Sequence, residues 1–185
     1  MDLIGLVFVI LTTALFTIME AYIIYKYSKS KKYGLIVGNA VVYIILLLYL
    51  CYKDVLQLRV YDFITVFLII TIFGHTYVGE YCGIYHKSKK YDRFLHLFGS
   101  FTFSLFAYSI IESLVKPVSY SKVYVAIFVA TLGITIGVLF ELIEFVFDKL
   151  AKYEKNQHGL ADTDFDLIFN VIGSILAGVA SIKLF

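Results

Sequence analysis

The sequence is poor in proline, cysteine, tryptophan and charge, and the shortages of cysteine and of charge each exclude a class of protein. Its 185 residues contain one proline, two cysteines and no tryptophan, and only 16% are charged. About a quarter of the residues of a typical soluble domain are charged, so the low charge argues against a soluble protein. Cys51 and Cys82 lack the spacing of a disulfide framework or a zinc motif. The net charge of +2 is too small to indicate nucleic-acid binding, so we expect no nucleic-acid partner.

What the chain has instead is long apolar runs, since 61% of its residues are hydrophobic. A membrane-spanning helix needs about 20 mostly apolar residues. Six runs are candidates for such helices: 3–25, 34–51, 60–79, 94–115, 123–147 and 165–184. The sequence therefore predicts an all-α, polytopic integral membrane protein in the lipid bilayer. Its expected fold is a bundle of six transmembrane helices that forms a single domain over residues 1–185.

Lysine and arginine are distributed unevenly among the connections, and this predicts the orientation. Eleven of the 16 follow the first, third and fifth helices, and five lie on the opposite side. The positive-inside rule places the richer side in the cytoplasm. We therefore expect a multi-pass protein of the cell membrane with both termini outside.

Small residues spaced four apart indicate helices that approach each other closely in lipid. Such pairs occur on helices 2, 5 and 6: Gly34 with Gly38, Gly133 with Gly137, Gly173 with Ala177, and Ser174 with Gly178. We expect these pairs to pack within one bundle. The sequence leaves the oligomeric state open.

Acidic and histidine residues gather at one end of helices 3 to 6, the motif-bearing region 60–185. Residues three, four or seven apart share a face of a helix. That spacing groups Asp92, His96 and Ser100; Glu141, Glu144 and Asp148; and Asp162, Asp166 and Asn170. Because successive helices alternate in direction, these three groups and His75 belong to the same membrane half. Ionisable groups at membrane depth are rare and usually functional, so the pattern predicts a shared site.

The chemistry of such a site follows from its charge. Crowded carboxylates in a low dielectric either hold protons or are neutralised by a cation. Oxygen ligands with one or two imidazoles suit a divalent metal ion, and the pattern does not distinguish Zn²⁺, Mg²⁺ and Mn²⁺. The predicted metal ligands are His75, Asp92, His96, Glu141, Glu144, Asp162 and Asp166.

Within that set, His96, Glu141 and Glu144 are the candidate catalytic residues, because apolar residues enclose them. Asp162 has a simpler interpretation. Taken alone, Asp162, Thr163 and Asp164 are good N-cap residues for helix 6.

The motifs resemble a known family. The segment GHTYVGEYCGIYHKSKKYDRFLHLFGS, followed by ELIEFVFDKL and LADTDFD, is similar to the signature of the YjdF-like (DUF2238-type) inner-membrane proteins. The resemblance covers residues 74–178, so helices 1 and 2, within residues 1–59, lie outside it. Asp92-Arg93-x-x-His96 and Asp166-x-x-x-Asn170 are more loosely similar to elements of VanZ-like membrane proteins. The resemblance implies a polytopic membrane protein with a shared polar site.

Three functions remain open at this point, and the sequence does not decide whether the protein is an enzyme. The first is a metal-dependent protein that acts on a lipid or lipid-linked substrate at the cytoplasmic boundary. The second is a cation or proton transporter or channel, against which the sequence shows neither an inverted repeat nor a pair of broken helices. The third is a non-catalytic lipid-binding or assembly factor.

Overall fold

The computed structural model describes residues 3–115, 120–150 and 159–185. Its helices are α1 Leu3–Lys29, α2 Tyr33–Tyr52, α3 Asp62–Phe73, α4 Lys89–Val115, α5 Lys122–Leu150 and α6 Leu160–Leu184. The α3 helix continues as a π-helix over Gly74–Tyr81. With that extension, all six helices are long and apolar enough to cross a membrane. The predicted all-α membrane fold with six spanning helices is confirmed.

The starts of α4 and α6 differ from the predicted ends of the apolar runs. The α4 helix begins at Lys89 and α6 begins at Leu160, each five residues before the predicted start. These first turns carry charged residues, so hydropathy does not mark them as helix. Gly159, with a φ of 118°, precedes α6, and no side chain caps it. The prediction that the Asp162 to Asp164 segment caps helix 6 is therefore wrong.

The contacts divide the chain into two compact units, Met1–Lys87 and Ser88–Phe185. In the first unit, α1 contacts both α2 and α3. The core of this unit includes Phe16, Ile23, Ile64 and Ile69, all nearly inaccessible to solvent. The α3 helix, which the sequence grouped with the motif-bearing helices, belongs to this unit by its contacts. The single domain over residues 1–185 stays a prediction.

The second unit is a three-helix arrangement in which α4, α5 and α6 contact one another. Glycines allow the close approach. A Cβ atom at Gly173 would collide with the backbone oxygen of Leu97, and one at Gly133 would collide with the side chains of Ser104 and Ser174. The predicted packing role of the small residues on α5 and α6 is confirmed. It brings the polar faces of three helices together.

The pair on α2 behaves differently. A Cβ atom at Gly34 or Gly38 would meet no atom within 4 Å among the residues that the structure describes. For these two glycines, the prediction of packing within the bundle is wrong. The buried residues of α2 are Asn39 and Leu46.

The orientation of the chain in the membrane stays a prediction. The uneven distribution of basic residues depends partly on Lys116, Lys152 and Lys155, which lie outside the described residues. What the described helices establish is a multi-pass membrane protein.

Candidate functional site

The first part of the site lies at the start of α4. Asp92 and His96 are four residues apart and therefore project from one face of that helix. Nε2 of His96 lies 3.5 Å from Oδ1 of Asp92. The side chains of His96 and Asp92 are 13% and 21% exposed, so the pair is largely enclosed yet open on one side.

The start of α6 supplies the next residue. Asp166 is buried, and its Oδ1 atom has no hydrogen-bond partner among the described residues. Asp92, His96 and Asp166 each present one ligand atom, and the three atoms lie within 4.8 Å of one another. Two carboxylate oxygens and one imidazole nitrogen at this separation could hold a metal ion.

The α5 helix adds carboxylates beside this group. Glu141 is buried, and its Oε1 atom lies 3.7 Å from Nδ1 of His96. Glu144 is half-buried one turn further along α5. Neither glutamate belongs to the three-residue ligand group found among the described residues. Because Glu141 lies near Nδ1 of His96 and Asp92 lies near Nε2, the two carboxylates face opposite sides of the ring.

A hydrogen-bond network with Asn170 and Ser100 fixes the ring of His96. Nδ1 of His96 lies 3.3 Å from Oδ1 of Asn170, and the hydroxyl of Ser100 donates to the same oxygen at 2.5 Å. Asn170 is buried, and a Cβ atom at Gly137 would come within 2.8 Å of its side chain. Asn170 is thus held between α4 and α5 while it contacts His96.

The three helices place the site at a similar depth. At 1.5 Å per residue, His96 lies about 10 Å from the start of α4 and Asp166 about 9 Å from the start of α6. Glu141 lies about 14 Å from the end of α5. Helices of 25 to 29 residues are about as long as a bilayer with its headgroup regions. His96, Asp166 and Glu141 therefore lie within about 14 Å of the helix ends at which α4 and α6 begin and α5 ends.

Two of the predicted ligands have other contacts. Asp162 is buried, and its Oδ1 atom lies 3.4 Å from Nζ of Lys89, so a lysine balances its charge. His75 lies in the first unit, where Nδ1 is 2.8 Å from the hydroxyl of Tyr85 and Nε2 is 3.6 Å from Oε1 of Glu80. The three-residue ligand group includes neither Asp162 nor His75.

Sequence reasoning missed the role of Lys89, because the pair with Asp162 joins positions far apart in the chain and no local signal marks it. The guanidinium of Arg93 lies 3.9 Å from the ring centre of Phe165. Arg93 therefore packs on the first turns of α6.

Comparison with known proteins agrees with the membrane fold. A family model described as "Predicted membrane protein (DUF2238)" matches residues 6–184, which extends beyond the region 74–178 that carries the motif resemblance. A Thermotoga maritima protein described as "Uncharacterized protein" is 36% identical over 104 residues. That match covers 56% of this chain and 53% of the relative, so it spans about half of the relative's length. No solved structure matches the chain. The similarity to VanZ-like proteins stays a prediction from motifs, whereas the extent of the family match shows that the chain belongs to the DUF2238 family of membrane proteins.

Proposed function

We propose that this membrane protein binds a divalent metal ion through Asp92, His96 and Asp166, and that it acts with this ion on a lipid or lipid-linked substrate. The observation that carries the proposal is the convergence of three ligand atoms within 4.8 Å from two helices. An arrangement of this kind from residues 74 positions apart needs the specific packing of α4 on α6. It is not a by-product of one helix face.

Charge balance supports a cation at this position. Among the described residues, no lysine or arginine nitrogen lies within ion-pair distance of Asp92 or Asp166. His96 is the basic group between Asp92 and Glu141. Carboxylates at membrane depth are costly unless a positive charge or a proton balances them. A bound cation would balance the excess of acidic groups.

The types of ligand atom reduce the number of candidate metal ions. Two carboxylates and one imidazole suit Mn²⁺, Zn²⁺ or Fe²⁺, whereas Mg²⁺ prefers oxygen ligands and retained waters. Three protein ligands leave open positions on the ion for water or substrate. Such an ion polarises a phosphoryl oxygen or activates a bound water.

The depth of the site supports the substrate class. A site at the boundary between headgroups and hydrocarbon can reach the ester or phosphate bond that joins a lipid headgroup to its chains. In this proposal, Glu141 and Glu144 act as acid or base groups beside the ion, and His96 is a ligand. The Asp162–Lys89 ion pair keeps the first turns of α6 and α4 together.

Metal analysis of the detergent-purified protein tests the proposal. We expect about one divalent ion per chain, removable by a chelator and restored by Mn²⁺ or Zn²⁺. Asp166→Asn and His96→Ala should each weaken metal binding by more than the roughly 10- to 100-fold effect typical of outer-shell partners. Glu112→Gln, in the last turns of α4 far from the site, is the matched control and should bind metal normally. A wild-type protein that binds no divalent ion above the level of Asp166→Asn contradicts the proposal.

A second candidate, proton or cation transport, has one observation in its favour. Buried hydroxyl groups continue beyond Asn170 along the interior of the second unit, at Ser104, Ser109, Ser174 and Ser181. Each donates to a backbone carbonyl of its own helix. Ion flux in proteoliposomes decides between the candidates. An ion flux that Ser104→Ala reduces supports transport. A protein that binds metal but shows no ion flux favours action on a lipid substrate.

A further inference from the structure

The first unit contains a polar arrangement that the metal proposal does not use. The hydroxyl of Tyr85 lies 2.8 Å from Nδ1 of His75, and Nε2 of His75 lies 3.6 Å from Oε1 of Glu80. A hydroxyl, an imidazole and a carboxylate are thus connected in that order through the two nitrogens of one ring. This order is the one by which a general base activates a nucleophile and a third group orients the base.

The local backbone is built around this arrangement. His75 and Glu80 lie on the π-helix Gly74–Tyr81. Helices of this type are rare in proteins, and those that occur often lie at functional sites. Gly83, with a φ of 68°, turns the chain back so that Tyr85 returns to the helix. A Cβ atom at Gly79 would collide with the ring of Tyr85. Both glycines are therefore needed to seat the tyrosine against His75.

The carboxylate decides which ring nitrogen can act as the base. Glu80 lies near Nε2 and favours the proton on that nitrogen. Nδ1 then carries the lone pair and accepts the hydrogen bond from Tyr85. Two other tyrosines in this unit have hydroxyl partners, since Tyr43 donates to Thr17 at 2.9 Å and Tyr81 donates to Tyr22 at 3.4 Å. Tyr85 differs from these two because its partner is an imidazole.

We propose that Tyr85 is a base-activated nucleophile, with His75 as the base and Glu80 as its positioning residue, and that it takes an ester with an electrophilic phosphoryl or acyl centre. The phenol proton passes to Nδ1 of His75 while the phenol oxygen bonds to the phosphorus or carbonyl carbon. The alkoxide leaves with the electron pair of the broken ester bond and takes the proton from His75. The side chain of His75 is 47% exposed, so a substrate can reach the pair.

An arylsulfonyl fluoride probe tests this site without knowledge of the natural substrate. The phenol oxygen bonds to sulfur, fluoride leaves, and His75 takes the phenol proton. The full chain in detergent is treated with the probe, and peptide mass spectrometry measures the labelling rate of each tyrosine. We expect Tyr85 to be labelled faster than Tyr33, which is 66% exposed on α2, although Tyr85 itself is half-buried.

The variants separate activation from packing. His75→Gln should slow the labelling of Tyr85 by about 100-fold, the lower end of a general-base contribution, and leave Tyr33 unchanged. A glutamine amide can still form a hydrogen bond with the hydroxyl of Tyr85. A purely structural role of His75 would therefore be retained in this variant. Glu80→Gln should slow Tyr85 by a smaller factor. The proposal is overturned if wild-type Tyr85 reacts no faster than Tyr33, a comparison that needs no variant to fold, or if His75→Gln reacts like wild type.

Discussion

At the scale of single residues, the contacts of the second unit converge on His96. Asp92 lies at its Nε2 atom, and Asn170 and Glu141 lie at its Nδ1 atom. A metal-binding histidine commonly donates its second ring N–H to an oxygen, which sets the tautomer and the orientation of the ring. In the proposed site, Nε2 binds the ion beside Asp92, and Asn170 receives the N–H of Nδ1.

This geometry predicts an effect of Asn170 at a distance from the metal. Asn170→Leu removes the acceptor oxygen and should weaken metal affinity by about 10- to 100-fold while the metal stoichiometry stays the same. Ser100→Ala should act in the same direction and less strongly, because it only releases Asn170. Calorimetric titration of the purified variants measures both effects.

Ser109→Ala is the matched control for Ser100→Ala. Ser109 is also buried on α4, and its hydroxyl donates to the backbone oxygen of Leu105 at 2.8 Å. Normal metal affinity in Asn170→Leu, or an equal loss in Ser109→Ala, would contradict the positioning role.

Part of the candidate site could be predicted from helical periodicity. The spacing correctly pairs Asp92 with His96 and Asp166 with Asn170 on shared faces, because a face depends only on neighbours within two turns. The Lys89–Asp162 ion pair depends on which helices pack together, and no local pattern contains that information. Glu20 is 1% exposed, and its carboxylate oxygens have no hydrogen-bond partner among the described residues. Its burial likewise depends on helix packing, which no local pattern contains.

At the scale of helices, close approach in the second unit depends on glycine. Gly173→Ala should lower the free energy of unfolding by about 1–3 kcal/mol, the usual cost of overpacking, since the added methyl meets the backbone of Leu97. Gly38→Ala is the matched control. It adds the same methyl where no described atom lies within 4 Å, and it should stabilise α2 by up to about 1 kcal/mol.

Denaturant unfolding in detergent measures both glycine variants. Equal stability of Gly173→Ala and wild type would mean that α4 and α6 do not approach as closely as the structure has them. A large loss in Gly38→Ala would mean that α2 packs on a surface outside the described contacts.

Hydropathy identifies helices well and their ends poorly. A spanning helix needs about 20 apolar residues, so the number of helices is legible in the sequence. The charged first turns of α4 and α6 resemble loops, and only the structure assigns them to helices. The π-helix Gly74–Tyr81 also cannot be predicted from the sequence pattern, because it departs from the 3.6-residue period of an α-helix.

At the scale of the whole molecule, a site shared by α4, α5 and α6 requires the connections after α3 and α5 to lie on one side of the membrane. The starts of α4 and α6 meet through the Lys89–Asp162 ion pair, so both connections must end at the same boundary. Reporter fusions after Lys89 and after Lys155, the latter outside the described residues, should both report the cytoplasm. Readings on opposite sides would be incompatible with a common site.

Pulsed electron paramagnetic resonance of the Mn²⁺-loaded protein tests whether Asp92, His96 and Asp166 hold one divalent ion. The spectrum reports nitrogen nuclei bound to the ion. We expect one saturable Mn²⁺ per chain with coupling to a single imidazole nitrogen, which His96→Gln abolishes and Glu112→Gln leaves intact. Absence of saturable Mn²⁺ binding, or nitrogen coupling that persists in His96→Gln, would contradict a metal site at these residues.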